Sequence, residues 1–68
     1  MASVVKVIEI IAESPESWEA ATKTAVAEAA KSVRNIQNVY IESMKAIVEG
    51  SLIVRYRVDT KITFIVEH

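Results

Sequence analysis

From Ser51 to Glu67 the chain alternates apolar and polar residues almost without a break. Leu52, Val54, Tyr56, Val58, Ile62, Phe64 and Val66 fall on one face with Thr60 in register, and Arg55, Arg57, Asp59, Lys61 and Thr63 fall on the other. A period of two over that length predicts one strand with one buried and one polar face. At about 3.3 Å per residue it would run roughly 50 Å, far beyond the usual strand of about 5–6 residues. A subunit of 68 residues cannot cover both ends of such a strand. The first expectation is therefore an assembly of subunits.

Composition points the same way. A chain this short has room for one small core and usually needs a staple to offset the entropy lost on folding. It has no cysteine, so disulfides and thiolate metal sites are both excluded, and the redox compartment is left open. The one histidine is His68, the last residue. Subunit association is the staple that remains, and a hydrophobic content of 51% suits it. A net charge of −1 offers no basic field to a phosphate backbone, which argues against a nucleic-acid partner. The apolar run Val4 to Ala12 is interrupted by Lys6 and Glu9 and is too short to span a bilayer. With no cleavable leader pattern after it, the expectation is a cytoplasmic protein without a membrane partner.

The remaining elements read in order. Ser3 to Ala12 is rich in Val and Ile with little alternation, which predicts a first strand buried on much of both faces. Ser14 is placed as N-cap, Pro15 as the first helical residue and Glu16 at the positive end of the helix dipole. The helix is expected from Pro15 to about Val33, with Trp18, Ala21, Ala25 and Ala29 on a narrow inner face. Glu19 with Lys23, and Glu28 with Lys31, mark a solvated outer face. Ile36 to Val48 is the second strand, and Gly50 supplies the positive φ of a hairpin turn into the third. With no repeats, linkers or low-complexity segments, residues 1–68 make a single β-α-β-β domain of the α+β class. The third strand lies between the other two and antiparallel to both, giving the order 1-3-2.

Three stretches in this order resemble the dodecin family over essentially the whole chain. Val5-Lys6-Val7-Ile8-Glu9-Ile10-Ile11 is similar to the family's first strand, and Ser14-Pro15-Glu16-Ser17-Trp18 to its helix start. Tyr56 to Phe64 is similar to its last strand, with Lys61 and Phe64 in matching places. The resemblance implies a three-stranded antiparallel sheet curled around one helix, twelve copies of which form a hollow homododecamer. In such a shell, Arg55, Arg57, Asp59 and Lys61 are expected to pair between chains, Arg57 with a carboxylate such as Glu42 or Asp59.

The family's flavin site (riboflavin or FMN) implies a Trp at the position of Asn38 and a Gln at the position of Arg57. Paired isoalloxazine rings need a broad π-face and an amide that can both donate and accept. Asn38 has no ring and Arg57 only donates, so both departures count against a stacked flavin pair, although a guanidinium plane can itself stack on a ring. Tyr40, on the same face as Asn38, is a partial substitute. Asn38, Tyr40 and Arg57 are thus the candidate ligand residues. The Arg at the Gln position and the Ser-Pro-x-Ser-Trp helix start bring the chain nearer to the flavin-free, calcium dodecin-like branch. That branch implies a hard divalent cation such as calcium, held by several oxygens. Among Glu9, Glu13, Glu16, Glu19, Glu42, Glu49, Asp59 and Glu67 no loop motif selects the ligands. Without a Cys nucleophile, an internal His or a phosphate loop, an enzyme is not expected. The function expected is a shell that binds or sequesters small ligands or ions. The alternatives are a flavin-storage protein with an altered site and a non-catalytic interaction module.

Overall fold

The computed structural model describes residues 2–66. Glu67 and His68, expected at the end of the last strand and as a terminus, lie outside the described residues. The elements are β1 (Val4–Ser14), α1 (Trp18–Ala29), β2 (Ile36–Glu49) and β3 (Leu52–Val66). They form one three-stranded sheet of order β1-β3-β2, with β3 antiparallel to both neighbours. The fifteen residues of β3 set the length of a chain measuring 53 × 19 × 13 Å.

Helix α1 packs on the face that carries Val58, Thr60 and Ile62, each 0% exposed. It presents Ala21, Ala25 and Ala29, which are also buried, so small side chains let the helix backbone approach the strands closely. Ile8, Ile10, Trp18, Val26, Ile36 and Val39 close around this cluster. Thr60 is polar but satisfied, because its hydroxyl donates to the Ile10 carbonyl at 2.7 Å. The Trp18 indole meets Tyr56 edge to face at 4.9 Å and donates from Nε1 to the Lys45 carbonyl at 3.0 Å, which ties the helix start to β2.

Several boundaries differ from the sequence expectation. The N-cap is Ser17, not Ser14: Ser17 is extended and its Oγ accepts from the Ala20 amide at 2.9 Å. Ser14 instead ends β1, buried, and its Oγ accepts from the Glu16 amide in a local turn. Pro15 and Glu16 therefore precede the helix. The helix stops at Ala29 because Lys31, Ser32 and Val33 turn off it through short backbone bonds to Glu28 and Ala29, and Asn35 then takes φ 62°. Asn is among the residues that tolerate this left-handed conformation. Ser17→Ala is expected to cost about 1 kcal/mol in urea denaturation; a loss under a few tenths would return the cap to Ser14.

Strand β1 is also not buried on both faces. Val5, Val7 and Ile11 on its outer row are 53–61% exposed in the subunit. The hairpin turn holds as expected: Glu49 pairs with Leu52 across a two-residue loop whose first residue, Gly50, has φ 63°. Ser51 does not share the positive φ, which matches the turn class with Gly at its first central position.

Candidate functional site

The sheet face away from α1 carries the polar row of β3, and irregularities in the pairing of β2 with β3 decide what meets it. Pairing shifts by one residue between Ile36 and Asn38, between Ile41 and Ser43, and between Ile47 and Val48. The middle shift leaves Glu42 without a partner while Ile41 faces Thr60 and Ser43 faces Asp59. A bulge of this kind re-aims the extra side chain. Here it brings Glu42 onto the polar face, where its Oε1 receives the Lys61 ammonium at 3.0 Å.

Glu9 reaches the same place from the other side, because β1 sets it directly opposite Lys61. Asp59 comes from the centre. Glu9, Glu42 and Asp59 each offer an oxygen within 4.8 Å of the other two, one from each strand. Asp59 Oδ1 is shut off from solvent and has no hydrogen-bond partner among the described residues. A side-chain hydrogen bond with Asp59, and after it the charge of that carboxylate, raises the pKa of Glu9 above the ordinary glutamate value, with a further contribution from Glu42. The Lys61 ammonium is held more tightly protonated, first by its hydrogen bond to Glu42 and then by the surrounding negative charge. Three carboxylates thus gather around a single ammonium. That arrangement favours an added cation, and carboxylate oxygens are the donors a hard divalent ion prefers.

A second knot lies further along β3. Glu13 bridges two arginines: Oε1 forms an ion pair with Arg55 Nε at 3.0 Å, and Oε2 accepts from Arg57 Nε at 2.6 Å. The Arg57 bond, ahead of the other effects, holds the Glu13 carboxyl below the ordinary range. Within the chain, then, the partner of Arg57 is Glu13 and not Glu42 or Asp59. The cause is the true length of β1. Ending that strand at Ala12 left Glu13 in a loop, whereas its run to Ser14 sets Glu13 directly opposite Arg57. Beside the knot is a depression of about 300 Å³ lined by Ile11, Glu13, Ser43, Lys45, Arg57 and Asp59.

The Glu13 knot gives a signed pH dependence. A carboxyl with a lowered folded pKa contributes stability that is present above the unfolded value near 4.5 and is lost as pH falls through the folded one. Glu13→Gln should therefore melt below the unsubstituted protein at pH 7, and the two should converge in acid near pH 2 when followed by circular dichroism. A gap of the same size at both pH values would remove this role from Glu13.

Of the residues expected to touch a ligand, Asn38 and Tyr40 lie together on the polar face, opposite Thr63 and Lys61. Tyr40 is 62% exposed. Arg57 is on the same face but six residues along β3 from Thr63, about 20 Å away within one subunit. Of the other acids, Glu13 serves the arginines and Glu19 pairs with Lys23 at 3.2 Å. Glu9, Glu42 and Asp59 were all visible as acids, but only the bulge and the two registers select them.

The sequence model of the Dodecin family matches residues 4–67. A calcium dodecin from Mycobacterium tuberculosis is 37% identical over 62 residues, spanning 91% of this chain and 87% of that protein. A crystal structure of calcium dodecin from the same organism, described as calcium chelating with a novel calcium-binding site, superposes with a TM-score of 0.83 at 35% identity. It covers 96% of this chain and 93% of that one. A variant of the T. thermophilus dodecin superposes with a TM-score of 0.92 at 25% identity, over 98% of this chain and all of that one.

Proposed function

The chain belongs to the dodecin family, and from that premise we propose that it is a non-catalytic, flavin-free homododecameric shell that binds a divalent cation, calcium being the best fit. The observation that carries the reading is the meeting of Glu9, Glu42 and Asp59 from three different strands, with an Asp59 oxygen that is buried and has no partner among the described residues. The similarity to a calcium dodecin supports the choice of ion. One oxygen from each of the three carboxylates falls short of the 6–8 oxygens calcium takes, so bidentate binding, water or a neighbouring subunit would complete the shell of ligands.

Assembly has separate support. The subunit exposes 4983 Å², whereas a monomeric protein of 7.5 kDa would expose about 4,200 Å². The excess, about 780 Å², is close to the roughly 800 Å² each partner contributes to a standard interface. It is also apolar in the right places: Ile11, Val48, Leu52 and Ile53 are all more than half exposed. Surface of that kind marks contact with other chains.

The test is a native mass measurement together with calorimetric titration of calcium into chelator-treated protein. Twelve copies and a saturable heat support the proposal. A monomer or dimer at micromolar concentration removes the shell, and absence of calcium binding by an intact dodecamer removes the ion. Copurification of a yellow, fluorescence-quenched flavin would favour the altered flavin site through Tyr40 and Arg57 instead.

A further inference from the structure

We draw no further inference here: the strongest candidate, the Glu9, Glu42 and Asp59 carboxylate cluster beside Lys61 on the outer face of the sheet, belongs to the site already described.

Discussion

Truncating Ile62 to Ala is expected to lower the unfolding free energy of the subunit by about 2–5 kcal/mol, toward the upper end of that range. Ile62 is 0% exposed in the central strand, with Ile8 and Val39 directly opposite it on the two flanking strands. The helix above contributes Ala21, Ala25 and Ala29 to the same cluster. Alanines have no side chain long enough to swing into the space left behind, and a cavity that cannot collapse carries the larger cost. Total stability for a chain of 68 residues is on the order of 3–10 kcal/mol. One truncation therefore removes a large share of it. Urea unfolding should show a lower midpoint with an unchanged slope; a loss below about 1 kcal/mol would mean that the packing around Ile62 is looser than described.

The second large effect is on the cation. Asp59→Asn should weaken calcium binding by about 100-fold, since even outer partners of a metal site cost 10–100-fold when replaced. Asp59 supplies the buried oxygen that has no other partner among the described residues, and its charge is one of three in the cluster. The same substitution should leave the calcium-free protein at least as stable, because an Asn amide can donate to Glu9 where the Asp59 carboxylate only accepts, and one negative charge leaves the cluster. These two readouts separate binding from folding. Calcium affinity unchanged in Asp59→Asn would place the ion elsewhere, while a drop in melting temperature without calcium would make Asp59 a structural residue.

The sequence made the architecture legible because its strongest signals are periodic. Alternation along β3 named both faces, and the alanine spacing from Ala21 to Ala29 named the inner side of α1. Gly50, as the only glycine, fixed the hairpin. Boundaries were less legible because two serines, Ser14 and Ser17, are both capable of accepting from a backbone amide, and the choice depends on where β1 releases the chain. The same uncertainty hid the ion pair of Glu13 with Arg57. The acidic cluster could not be read at all, because its members are separated by 33 and 17 positions in sequence and meet only through pairing registers. No local pattern announces a bulge at Glu42.

That bulge separates the chemistry of the polar face from the pattern of the fold. Glu42 is the residue in excess between the pairs Ile41 with Thr60 and Ser43 with Asp59. Remove it, and those two pairs become neighbours in a regular ladder, with Ile41 and Met44 still toward the helix and Ser43 and Lys45 still away from it. Ordinarily the loss of one strand residue turns every following side chain to the wrong side. Here a single-codon deletion would take away one carboxylate and one ion pair and leave all other side chains on their own faces. Evolution can thus add or withdraw the third acid on this scaffold in one step, without having to rebuild the sheet that holds it.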